Sequence, residues 1–228
     1  MWSRGELKDR AKLVLRKIYL KALLIAIVIS LAEGGDGWGN GSSFHFRSAE
    51  DFYVFRHWWL LSGGVLSILV LRILIGYSLE VGGRKYFVQS AQYKDSGKCF
   101  SFAFDGKNYI EIVKTMLVTN IFIFLWTLLL IIPGIIKCYA YRMVPYILAD
   151  NPNIGVMRAI ELSNEMTKGH KFDIFILDLS FLGWYFLGML AFGIGIIFVF
   201  PYDYATNAEL YLNLRKNYEG VILNNRII

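Results

Sequence analysis

Residues 121–148, IFIFLWTLLLIIPGIIKCYAYRMVPYIL, leave this chain few ways to fold. A bilayer core is crossed by about 20 apolar residues in a helix. Extended back to Met116, the run exceeds one crossing and carries a helix-breaking pair, Pro133-Gly134, at its centre. A kink at the pair would give one overlong helix, and a turn would give two helices in a hairpin. Either way the chain reads as a multi-spanning membrane protein.

Composition agrees, because 56% of the residues are hydrophobic and 18% are charged, whereas soluble domains carry about 25% charged residues. After several crossings, 228 residues leave no room for a separate soluble core, so one integral-membrane domain over 1–228 is expected. The net charge of +6 would suggest nucleic acid in a soluble protein. Here the basic residues gather at the ends of apolar runs, which points to lipid headgroups and away from nucleic acid. Cys99 and Cys138 fall at different depths, so no disulfide is expected.

Residues 1–17 form a basic amphipathic lead-in, with Leu7, Ala11, Val14 and Ile18 on one face. It reads either as a surface-lying helix or, preferably, as a positive flank continuous with the first span. Ser30-Leu31-Ala32 has the small-x-small form of a signal-peptidase site, but Glu6 and Asp9 in the leader argue against cleavage. The external loop, 33–57, is Gly-rich. Its His45 and His57, with Asp36, Glu50 and Asp51, match no metal-ligand spacing. Capping pairs Ser48/Asp51 and Asn108/Glu111 mark two helix starts. Between them, the cytoplasmic segment 80–108 interleaves Lys and Arg with Tyr86, Phe87, Phe100, Phe102 and Phe104, as for a short helix and loop lying against headgroups. A second cytoplasmic segment, 149–171, holds an amphipathic helix over 154–168, with Ile154, Met157, Ile160 and Met166 on one face and Gly169 as its stop.

The run 172–201 is also overlong and contains Gly193-Ile194-Gly195. At an offset of 61, Gly134 falls on Gly195 and Tyr141 on Tyr202, a weak internal repeat suggesting two helical hairpins. Tight turns at Pro133-Gly134 and Gly193-Gly195 give six spans: 18–32, 58–79, 109–131, 135–148, 172–192 and 196–214. Both termini are then cytoplasmic, with nineteen Lys and Arg inside against two outside, Arg47 and Arg56. A four-span arrangement would put Arg158, Lys168 and Lys171 outside, so an all-α bundle of six transmembrane helices is expected.

IIPGIIKCYAYRMVPYILADNP, KGHKFDIFILDLSFLGW and GIGIIFVFPYDYATNAELY resemble a bacterial integral-membrane family, domain-of-unknown-function family 975. LKDRAKLVLRKIYLKALLIA and LEVGGRKYF extend the resemblance over nearly the whole chain. The resemblance implies a multi-pass protein of the bacterial cytoplasmic membrane. It supplies no catalytic residues and no activity.

Charges inside spans are costly and mark functional or pairing sites. Arg142 and Asp203 each lie eight residues past their hairpin glycine, so they are expected to pair; Arg72 and Asp178 form the second expected pair. Gly63, Gly64, Gly76, Gly183 and Gly188 suggest close helix contacts. No zinc spacing, nucleophile elbow or nucleotide-binding fingerprint occurs, so no catalytic, cofactor or metal residues are assigned and no enzyme is expected. The favoured function is an envelope or membrane-complex component partnered by lipids and by another membrane protein or a second copy. The alternative is a small transporter or lipid-handling protein using Arg72, Arg142, Asp178 and Asp203.

Overall fold

The computed structural model describes residues 3–32, 67, 70–94, 97, 99–190 and 194–227, and the regular structure among them is helical. The elements are α1 (Arg4–Ala32), a π-helical turn (Arg72–Gly76), α2 (Tyr77–Ala91), α3 (Cys99–Ala103), α4 (Gly106–Leu129), α5 (Ile131–Tyr141), α6 (Val144–Asp150), α7 (Val156–Met166), α8 (Lys171–Leu190) and α9 (Ile194–Ile227). The loop 33–57, its histidines, its capping pair, Gly63, Gly64, Gly193 and half of the expected second span lie outside the described residues.

The central run is a hairpin, but it turns at Leu130 and not at Pro133-Gly134. Leu130 is extended (φ −158, ψ 135), and α5 starts at the next residue. Pro133 therefore sits in the first turn of α5, where backbone N–H groups have no intrahelical acceptor and proline's missing donor is not felt. The pair starts a helix, and the chain reverses just upstream of it. Gly134 lets the two arms close, since a Cβ there would lie 2.6 Å from the Thr127 Cα. At the open end, the Asn153 amide donates to Asn108 Oδ1 at 3.2 Å, so the hairpin ends lie together.

Helices α8 and α9 pack on each other in the same way. Gly195 falls in the first turn of α9, and a Cβ on it would lie 2.7 Å from the Gly188 Cα. The touching pairs Thr127/Gly134 and Gly188/Gly195 are related by the offset of 61 read from the sequence. The close contact expected at Gly183 is not made, because a Cβ there meets nothing within 4 Å.

The lead-in and the first span are one helix, kinked at Ile18 (φ −128, ψ 16). Leu7, Ala11, Val14 and Leu15 are buried, so the lead-in packs into the bundle. It lies along α8 and α9, with Lys8 Nζ 4.3 Å above the Phe181 ring and the Tyr19 hydroxyl donating to the Phe198 carbonyl at 3.3 Å. Burial there pushes the Lys8 ammonium below the ordinary lysine range. Beyond the kink, α1 runs antiparallel to α2. A Cβ on Gly76 would come within 2.9 Å of the Ala32 carbonyl, and Lys17 lies over Tyr93 at 5.8 Å.

The segment from residue 80 is thereby corrected: α2 continues through it as a packed helix, with Val81, Tyr86, Phe87 and Val88 buried. Its charges have partners inside the bundle. Arg84 donates to the Tyr146 hydroxyl at 3.0 Å, and Lys85 Nζ lies 3.1 Å from the centre of the Phe102 ring.

The expected fourth span, 135–148, is two helices, broken at Arg142-Met143. Pro145 in the first turn of α6 favours a new helix start there. Helix α7 is amphipathic as expected, but its buried face is Ala159, Ile160, Ser163 and Met166, while Met157 is 64% exposed. Gly169 (φ +83) ends that segment.

Helices α4 and α8 are long and apolar enough to cross a membrane. Only 22% of the apolar window in each is buried, which separates them from the mostly buried core helices of soluble proteins. Phe124, Leu125, Leu128 and Leu129 of α4, and Leu182, Phe186, Leu187 and Leu190 of α8, face outward. Polar networks hold the other end of the bundle. Asp150 accepts from the Tyr211 hydroxyl at 2.6 Å and from Arg215 at 2.7 Å. Glu165 accepts from the Tyr218 hydroxyl at 2.6 Å, and that bond first of all raises the Tyr218 phenol above its ordinary range.

Candidate functional site

Arg72, Arg142, Asp178 and Asp203 all line one cavity of about 660 Å³. Its wall is built from both hairpins and α2. Thr119 and Asn120 come from α4, Cys138 and Tyr139 from α5, Tyr146 from α6, Tyr185 from α8, and Asp203 and Asn207 from α9. Tyr77, Glu80 and Arg84 of α2 complete it.

The expected pairing is corrected: Arg142 pairs with Asp178 and not with Asp203. Equal depth set Arg142 and Asp203 at one level, but the partner is decided by which helix face each side chain leaves. Helix α8 presents Asp178 to the break after α5, and the pair is part-buried, with side chains 24% and 30% exposed. The Arg142 guanidinium also lies 5.8 Å from the Tyr139 ring centre. Arg72 lines the same cavity from the π-helical turn, and its expected bond to Asp178 is replaced by the Arg142–Asp178 pair.

Asp203 is held by neutral donors. The Tyr185 hydroxyl donates to its Oδ2 at 2.7 Å, and Asn207 Nδ2 donates to its Oδ1 at 2.8 Å and to its backbone carbonyl at 3.0 Å. Arg84 stands close to Glu80, at 3.9 Å, and over the rings of Tyr204 and Tyr146, at 4.5 and 5.1 Å. Asn120 Nδ2 donates to the Tyr77 hydroxyl at 3.2 Å. The cavity is thus lined by both signs of charge and by phenolic and amide groups.

Two of its four expected charges stand at backbone irregularities: Arg72 opens the π-helical turn and Arg142 caps the end of α5, while Asp203 follows Pro201 by two residues inside the continuous helix α9. Such interruptions free backbone groups and re-aim side chains, and they recur at functional sites. Tyr185, Glu80, Arg84 and Asn207 were not singled out in the sequence. For Arg84 the misleading signal was its charge, read as a headgroup contact; Pro145 and Pro201, close to Arg142 and Asp203, were the available clue. Among the described residues, no three His, Cys, Asp or Glu side chains converge to hold a metal ion.

Residues 128–218 match the model of a family described as Protein of unknown function (DUF975). That segment holds the turn at Leu130 and the Gly188/Gly195 contact together with Arg142, Asp178 and Asp203, while the lead-in and α2 lie outside it. No curated protein and no solved structure matches the chain.

Proposed function

We propose that this chain, whose residues 128–218 match the DUF975 family, is a non-enzymatic, multi-pass carrier or lipid-handling protein of the bacterial cytoplasmic membrane. The cavity carries the proposal: a polar chamber of about 660 Å³ lies between two similar hairpins, and two of its charges, Arg72 and Arg142, stand where helices are interrupted. Carrier sites are built this way, from discontinuous helices at a repeat interface. A purely scaffolding bundle has no use for six charged side chains around a chamber, since closely packed apolar helices would serve it at lower desolvation cost.

In this reading six helices cross the membrane and both termini are cytoplasmic. Lipids cover the outward apolar faces of α4 and α8, where another membrane protein or a second copy would also dock. The ligand is a small polar or amphipathic molecule that enters the chamber.

Solvent access to the chamber tests the reading. Thr119 is 5% exposed and lines the cavity. A Thr119→Cys variant on a Cys99→Ser, Cys138→Ser background, held in lipid nanodiscs, should react with a water-soluble, membrane-impermeant thiol reagent within minutes. A cysteine that stays unreacted until the protein is denatured would mean a dry interior and would remove the carrier reading.

A further inference from the structure

Within that chamber Asp203 and Asn207 form a distinct corner, and its chemistry names a ligand class. The other described carboxylates of the lining, Asp178 and Glu80, each face a guanidinium, Arg142 and Arg84. Asp203 is hydrogen-bonded by a phenol and an amide, and the Arg142 and Arg84 guanidiniums act on it through space without a direct ion pair. Asn207 is 3% exposed, and its Nδ2 is committed to Asp203. Those bonds commit the donor side of the amide, on a residue that lines the cavity. The Asn207 Oδ1 is buried and has no hydrogen-bond partner in the protein. A buried acceptor left empty costs about 1–3 kcal/mol, so an acceptor held in this state is suited to a donor brought by something else. Phe200 and Tyr204, whose ring centres lie 6.2 Å apart, form an aromatic wall on the same helix.

We propose that this corner binds the ammonium group of a primary amine. The N–H donors of the ammonium bond Asn207 Oδ1 and the Asp203 carboxylate, and its charge lies against the rings. Hard metal ions such as calcium and magnesium gather about six oxygens or more, and two side chains do not provide them. The amine belongs either to a lipid headgroup or to a small soluble molecule. The inference rests on the carrier reading and sharpens it.

The test uses the full chain in phosphatidylglycerol nanodiscs, which contain no amine, at constant sodium chloride. Ethanolamine, titrated by calorimetry, probes the soluble source. Retention of phosphatidylethanolamine over phosphatidylglycerol, read by native mass spectrometry, probes the lipid source. The expected result is saturable binding of at least one probe, weakened tenfold or more in both Asp203→Asn and Asn207→Leu. Binding of ethanolamine alone assigns a soluble amine, and retention of phosphatidylethanolamine alone assigns a lipid. The inference is overturned if neither probe binds the wild-type chain, if Asn207→Leu binds as well as wild type, or if sodium alone gives the saturable signal. The Thr119→Cys reaction in the same nanodiscs separates the two levels: a reactive cysteine without amine binding removes this inference and leaves the carrier reading, whereas an unreactive one removes both.

Discussion

Arg142 shows what a single residue can and cannot disclose in advance. Its cost inside an apolar run was legible, as was its need for a partner, because a desolvated charge without one is untenable. The partner's identity was not legible. Counting residues from the hairpin glycine gives depth along a helix, but the break at Arg142-Met143 resets the direction of the side chain, and that break follows from Pro145. The pairing predicts a specific pattern of stability. Arg142→Ala or Asp178→Ala alone leaves one charge uncompensated and should cost about 3 kcal/mol, the low end for a buried pair that keeps some solvent contact. Both show as lower melting temperatures in detergent. The exchange Arg142→Asp with Asp178→Arg should recover most of the loss. Exchanging Arg142 with Asp203 should recover none, because Asp203 is held by Tyr185 and Asn207.

Among elements, the hairpins were visible as overlong apolar runs with breakers, but the position of the first turn was not. Proline and glycine interrupt a helix interior yet suit its first turn, so Pro133-Gly134 starts α5 and leaves the reversal to Leu130. Helix α2 was missed for a different reason. Arg84 and Lys85 look like surface charges in a sequence, and only the bundle shows the phenol and ring that accept them. The hairpin contacts predict graded effects of adding one methyl group. Gly188→Ala and Gly195→Ala each bring a Cβ within 3 Å of backbone on the facing helix, and Gly134→Ala within 3 Å of Thr127. Backbone cannot yield as a side-chain tip does, so each substitution should destabilise by roughly 1–3 kcal/mol. Gly183→Ala, with nothing near its Cβ, should leave the detergent melting temperature within a degree or so of wild type, or raise it through better helix propensity. Equal losses at Gly183 and Gly188 would mean that the interhelical contact does not set these values.

For the molecule as a whole, the charge rule and the packing bear on topology independently. Packing removes Arg84 and Lys85 from the cytoplasmic count, because α2 lies beside the second half of α1. In the proposed six-crossing arrangement seventeen basic residues would then remain inside against two outside, so that orientation does not depend on the pair. The Asn153–Asn108 bond adds a constraint that charge alone does not give: the two ends of the first hairpin share a side. A four-crossing chain would separate them by the thickness of the membrane. Reporter fusions in cells therefore have a definite expected outcome. A cytoplasm-active reporter should work when fused after Asn153, and an export-dependent reporter should work when inserted at Leu130. An external Asn153 would break the bond to Asn108 or force the start of α4 outside with it, placing Lys107 and Lys114 on the wrong side and removing both the hairpin and the six-crossing arrangement.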